Sequence, residues 1–254
     1  MDLKLNGKVA LVTGTGSQVG FGKGIALTLA RNGCDVIAND IDIEGSEKTA
    51  AEIVALGRTA IAIKADVTKV AEVKAMVDSA LKKFGKIDIL VNNAGRTTAP
   101  MPFVDTPEKN WEIVFNLCVF GVFNCAKAVL PQMIARKYGK IINISSGAGF
   151  SGSPRFIHYG AAKAAVMTFT RGLAKEVVGS GINVNCVAPG LGDTNFLATG
   201  GFPAGELSRA VTTVPTGKVT TPEDVGNLVA YLASDISNMV VGQVYAIDGG
   251  HSMH

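Results

Sequence analysis

Tyr159 and Lys163 stand four residues apart in the segment Tyr159-Gly-Ala-Ala-Lys163, whose pattern predicts a helix. Residues at i and i+4 share one helix face, a turn apart. An ammonium beside a phenol stabilises the phenolate and lowers the Tyr pKa. A Tyr tuned in this way acts as general acid or base near neutral pH. A Tyr and a Lys also meet on many ordinary helices, so the pair matters only if other elements bring a second reactant to it.

The N-terminal region supplies a site for one. Lys8-Val-Ala-Leu-Val-Thr13 reads as a buried first strand. It runs into the cluster Gly14-Thr-Gly16-Ser-Gln18-Val-Gly20-Phe-Gly22, and a helix pattern follows from Lys23 to Asn32. Glycines let a ligand approach the backbone, and the helix start offers unpaired N–H groups to a pyrophosphate. A second strand, Asp35–Asp40, ends in an acid 18 positions after Gly22. A carboxylate there suits the adenosine ribose hydroxyls of NAD and repels a 2′-phosphate. No Lys or Arg lies between Gly14 and Gly22 or between Asp40 and Glu47, and Lys23 falls just inside the helix. NAD is therefore expected rather than NADP.

Further strands are predicted at 58–64, 86–91, 140–145, 182–188 and 243–248, with helices between them. Thr68, Thr106 and Thr221 are expected to cap helices, and Pro131 to bend a long one. Seven strands alternating with helices predict a doubly wound α/β Rossmann fold: a seven-stranded parallel sheet with helices on both faces. Residues 1–254 read as a single domain, with a cofactor half to about 138 and a catalytic and substrate half from about 139. The Gly-, Thr- and Pro-rich stretch 191–218 reads as a mobile lid. Ligands of such sheets bind outside the carboxyl ends of the strands, the edge where Gly14, Asp40, Asp66 and Asn92 would lie.

Composition narrows the function classes. A net charge of +3, with no basic patch interleaved with aromatics, argues against nucleic acid as a main partner. No uninterrupted apolar run is expected to span a membrane, and the first residues carry no apolar signal region, so a cytoplasmic protein is expected. Cys34, Cys118, Cys125 and Cys186 sit in apolar runs and read as buried reduced thiols. With His158, His251 and His254 they form no metal-type spacing, so no metal is expected.

In this order and context the chain resembles the short-chain dehydrogenase/reductase family over nearly its whole length. The motifs are Thr13-Gly14 with Gly16, Gly20 and Gly22, Asp66-Val67, Asn92-Asn93-Ala94-Gly95, Ser146, Tyr159-x-x-x-Lys163 and Pro189-Gly190. The resemblance implies that Tyr159 is the general acid/base. Lys163 would depress its pKa and hold the nicotinamide ribose, Ser146 would bind the substrate oxygen, and Asn116 would anchor a relay water. Gly14, Gly16, Gln18, Gly20, Gly22, Asp40, Asp66, Val67, Asn92 and Gly95 would line the cofactor. Pro189, Gly190 and Thr194 would flank the nicotinamide. A homotetramer is implied as well. Two departures stand out. Two more residues separate Gly14 from Gly20 than the family register allows, which predicts a longer loop over the phosphates. Gly192 stands where the family often has Val or Ile.

The expected reaction is reversible hydride transfer between NAD and a secondary alcohol or ketone. The alternatives are an NADP-dependent 3-oxoacyl thioester reductase and a non-catalytic NAD-binding scaffold or sensor. Expected substrate contacts are Arg96, Gly147, Arg155, Phe156 and Phe196, with Met101, Phe103, Phe150 and Leu197 adding apolar wall. Arg96, Arg155 and Arg209 could each meet an anionic group. The walls suit a medium-sized, largely apolar alcohol or ketone.

Overall fold

The computed structural model describes residues 2–192, 194–196, 200–201 and 211–252. Leu197, Arg209, His254 and the middle of the 191–218 stretch lie outside the described residues.

Seven strands form one parallel sheet in the order β3-β2-β1-β4-β5-β6-β7. They are β1 Val9–Thr13, β2 Asp35–Asp40, β3 Ala60–Lys64, β4 Ile89–Asn92, β5 Gly139–Ile144, β6 Ile182–Pro189 and β7 Val244–Ile247. The chain reverses direction across the sheet between β1 and β4, which creates the crevice where such sheets bind ligands. The helices are α1 Phe21–Arg31, α2 Ile43–Ala55, α3 Val70–Phe84, α4 Glu108–Phe115, α5 Gly121–Arg136, α6 Ala148–Ser151, α7 Ile157–Val177 and α8 Pro222–Ala233.

Strand alternation divides the core between the two faces. Val9 and Leu11 of β1 join Met76, Val129 and Leu173, from α3, α5 and α7. Their neighbours Ala10 and Val12 join Ile25, Leu29 and Val229, from α1 and α8. Successive strand residues point to opposite faces, so one apolar run serves both layers. Helix α8 presses close on α1: a Cβ on Gly24 would lie 2.4 Å from Pro222 Cβ, and one on Gly226 would lie 2.5 Å from Thr28 Oγ1.

Helix starts differ from expectation at two of three threonines. Thr221 caps α8 in a capping box with Asp224. Thr106 instead bonds the Pro102 carbonyl, and α4 begins after Pro107. Asp66, not Thr68, makes the turn before α3, accepting from the Thr68 N–H. The helical run Glu108–Arg136 holds an 18-residue window of mean hydropathy 1.9, long and apolar enough to cross a membrane by length and composition alone. In the fold it is a partly buried core helix, broken by a π segment at Asn116–Phe120. Such segments often mark functional sites.

Candidate active site

One cleft of about 1160 Å³ runs along the carboxyl ends of the strands. Gly14, Gly20, Gly22, Asp40, Asp66 and Val67 line one end; Asn116, Ser146, Tyr159 and Lys163 line the other.

The glycine loop is built by close backbone contacts. Thr13 Oγ1 accepts from the N–H groups of Asn93 and Ala94, both at 3.0 Å, which ties β1 to the end of β4. Of the loop that follows, Ser17 and Gly20 line the cleft, while Thr15, Gly16 and Gln18 do not. Thr15 is buried against α2, with its hydroxyl 2.9 Å from Ser46 Oγ and its carbonyl accepting from Thr49. The Gly16 N–H donates to Asp40 Oδ2 at 2.8 Å. Gln18 Nε2 donates to the carbonyls of Gly16 and Gly45, so Gly16 and Gln18 secure the loop from behind. The cleft face carries Ser17, whose buried hydroxyl has no hydrogen-bond partner. A Cβ on Gly22 would lie 2.0 Å from the Gly14 carbonyl oxygen. This glycine cradle, the orphan Ser17 hydroxyl and the free N–H groups at the start of α1 fit a pyrophosphate. Lys23 is engaged elsewhere, on Glu52 and Gln18.

At the adenosine end, Asp40 also accepts from the Asp42 N–H at 3.1 Å. Asp66 and Val67 form the next stretch of wall, with Thr68 beside them. Asn92, expected to line the cofactor, is turned away: its Nδ2 bonds Asn143 Oδ1 across the β4–β5 pair, and the residue is buried. The next residue, Asn93, faces the cleft instead and donates to the carbonyls of Thr13 and Gly14. Gly95 lines the cleft beside Lys163; a Cβ there would lie 3.3 Å from the ammonium nitrogen.

At the reacting end, Tyr159 is buried and shares the cleft wall with Ser146. Ser145 is a different kind of residue, because its hydroxyl donates to the Lys163 carbonyl inside the core. Lys163 Nζ donates to the Ile144 carbonyl at 2.9 Å and lies 5.7 Å from the Tyr159 ring centre. Burial pushes the Tyr159 phenol well above its ordinary pKa, the neighbouring Cys118 adds to this, and the Ser146 hydrogen bond pulls it down. Lys163 is not among the groups that move it in this geometry. Asn116 opens the π segment and is exposed to the cleft.

The substrate walls are Gly147, Phe156 and Phe196 with Ile113 and Leu117. The Phe156 and Phe196 rings lie 6.1 and 5.4 Å from the Tyr159 ring. Arg96 lines the cleft and is exposed. Arg155 does not line it; its backbone has φ 70 and points the side chain's segment outward to solvent. Phe103 stacks on Trp111 and Phe150 packs in the core, so neither lines the cleft. Pro189, Gly190 and Thr194 all line it. Gly192 has a steric explanation: a Cβ there would lie 2.3 Å from Phe21 Cζ, within the glycine motif. Ser17, Phe21, Asn93 and His251 line the cleft but are not among the expected site residues. For Asn93 the signal was present, since tandem asparagines at a strand end face opposite ways.

Known proteins match this chain over nearly its whole length. A family model described as enoyl-(acyl carrier protein) reductase, adh_short_C2, matches residues 14–252. The chain is 39% identical over 248 residues to a 3-oxoacyl-[acyl-carrier-protein] reductase, FabG, of Thermotoga maritima, covering 98% of this chain and 99% of that relative. It is 40% identical over 261 residues to galactitol 2-dehydrogenase of Agrobacterium fabrum, covering 99% and 100%. The crystal structure of NAD+-bound xylitol dehydrogenase superposes with a TM-score of 0.90 at 33% identity, covering 97% of this chain and 100% of that one. The chain belongs to the short-chain dehydrogenase/reductase family. Within it, the chain is an NAD(P)-dependent dehydrogenase/reductase.

Proposed function

We propose that the chain catalyses reversible hydride transfer between NAD(H) and a secondary alcohol or ketone, with Tyr159 as general acid/base. The observation that carries this is the buried Tyr159 in one cleft with Ser146, Lys163 and the glycine loop. The bound nicotinamide supplies the hydride chemistry. In alcohol oxidation Tyr159 takes the hydroxyl proton while Ser146 orients the oxygen. Lys163 holds the ribose and adds positive charge that favours phenolate. Asn116 positions a water that continues the proton path. Asp40, steadied by two backbone N–H groups, meets the ribose hydroxyls and disfavours a 2′-phosphate. The aromatic wall around Tyr159 supports a medium-sized, largely apolar substrate.

A screen of alcohols and ketones with each cofactor, read by nicotinamide absorbance, tests this. Equal or better kcat/KM with NADP would overturn the NAD preference. A second reading, an NADP-dependent 3-oxoacyl thioester reductase, draws support from the Thermotoga relative and from the exposed Arg96 in the cleft. Turnover of an acetoacetyl thioester with NADPH in preference to NADH would favour it. A homotetramer fits the exposed apolar side chains Phe120 and Met239, and light scattering on the purified protein tests it. Four buried free thiols suit a reducing cytoplasm.

A further inference from the structure

The loop 96–102, between β4 and α4, meets the cleft at Arg96 and is joined at two points to the start of α7 and the turn before it. Thr98 Oγ1 lies 2.9 Å from His158 Nε2, and the Met101 N–H donates to the Arg155 carbonyl at 2.7 Å. Thr98 and His158 are both buried. The same loop makes two further contacts. The Arg96 carbonyl accepts from the Cys118 thiol, and a Cβ on Gly201 would lie 3.1 Å from Ala99 Cβ. His158 directly precedes Tyr159.

Two observations show that this junction is specified and is more than filled space. The His158 Nδ1 atom is buried with no hydrogen-bond partner. An apolar side chain would fill the position without an orphaned polar atom, so the retained function of the ring is its Nε2 contact. Arg155 holds a left-handed backbone, φ 70, without being glycine. Such a conformation persists where surrounding contacts over-determine it. Burial lowers the His158 pKa, which keeps the ring neutral beside Thr98.

We propose that His158 is a positioning residue that, through Thr98, fixes the 96–102 loop to the helix turn carrying Tyr159. The position of this loop, which enters the cleft at Arg96, then sets the room a substrate has beside the phenol. The kinetic arm of the test rests on the proposed alcohol oxidation; the exchange arm does not. Thr98→Val removes the hydroxyl at nearly constant volume, His158→Ala removes the ring, and His158→Gln keeps a polar atom near Nε2. Amide hydrogen exchange of the 97–103 peptide is measured in each, alongside Tm and NAD+ affinity by calorimetry. Thr98→Val and His158→Ala are expected to speed exchange in that peptide by roughly fivefold, the worth of one hydrogen bond. Exchange around the glycine loop and NAD+ affinity stay unchanged, and His158→Gln lies nearer wild type. With isopropanol, cyclohexanol and menthol, KM is expected to rise for the smaller alcohols, kcat to hold, and the preference among sizes to flatten. Unchanged exchange in Thr98→Val, or a uniform rise with a matching drop in Tm, would overturn the proposal. Failure of the wild type to oxidise any alcohol would count against the proposed reaction, and the exchange result would still decide the role of His158.

Discussion

The Lys163 ammonium donates to the Ile144 carbonyl, the last residue of β5, while sitting 5.7 Å from the centre of the Tyr159 ring. The cation is thus fixed by the sheet rather than by the phenol. Its i+4 spacing brings it to the same cleft, and a backbone carbonyl sets its depth. Tyr159→Phe removes the only phenol in this cleft among the described residues. Turnover is expected to fall by about a thousandfold, the scale of general acid–base catalysis. NAD+ affinity, measured by calorimetry, is expected to stay nearly unchanged, because the glycine loop, Asp40 and Lys163 are left in place. Substantial retained turnover would remove Tyr159 from the proton path.

The pH profile offers a second check. Burial raises the Tyr159 pKa and the Ser146 hydrogen bond lowers it. Oxidation needs the phenolate, so kcat/KM for the alcohol is expected to climb with pH until the phenol has ionised. Ser146→Ala removes the lowering contact and should carry that limb to higher pH. Ketone reduction uses the protonated phenol and should show the opposite dependence. A limb that stays in place in Ser146→Ala would mean that the serine does not tune the phenol.

The glycine loop makes a steric prediction. A Cβ at position 22 would overlap the Gly14 carbonyl oxygen, a backbone atom that cannot swing aside. Gly22→Ala is expected to weaken NAD+ binding by at least about tenfold, as overpacked sites do. Calorimetric titration measures this. Wild-type affinity in a folded Gly22→Ala variant would show that the loop has another arrangement open to it.

Lys140 gives a stability prediction away from the cleft. It is buried at the start of β5 and donates to the Asn183 and Asn238 side-chain carbonyls. Burial lowers its pKa from 10.5 to about 8. Between those values the unfolded chain binds more protons than the folded one, so stability rises with pH. Below pH 8 both states are protonated and the gain is gone. The Tm of the wild type, relative to Lys140→Met, is therefore expected to improve on going from about pH 8 to about pH 10. A constant difference across that window would mean that the ammonium is not desolvated.

Much of the architecture was legible because buried parallel strands are short, apolar and punctuated by glycine or asparagine. β2 runs from Asp35 to Asp40 as the sequence predicts, and the other strands fall within a few residues of expectation. Side-chain direction at strand ends was harder to read. Asn92 and Asn93 look alike in sequence, yet the pairing of Asn92 with Asn143 turns one into the core and leaves the other for the cleft. The π segment at Asn116 was invisible, since its apolar spacing matches that of an ordinary helix. The extra loop residues were noticed, but only tertiary contacts of Thr15 with Ser46 and Thr49 show where they go. Gly192 looked like a departure until Phe21 was seen to fill its space.

The close contact of α1 with α8 bears on how the protein is made. The helix that presents its N-terminus to the cofactor rests on Pro222 and Gly226, near the far end of the chain. During synthesis the glycine loop therefore emerges well before the surface that backs it. Full affinity for the dinucleotide is expected only after α8 has docked on α1, so cofactor supply should influence the lifetime of the folded enzyme more than the early steps of folding.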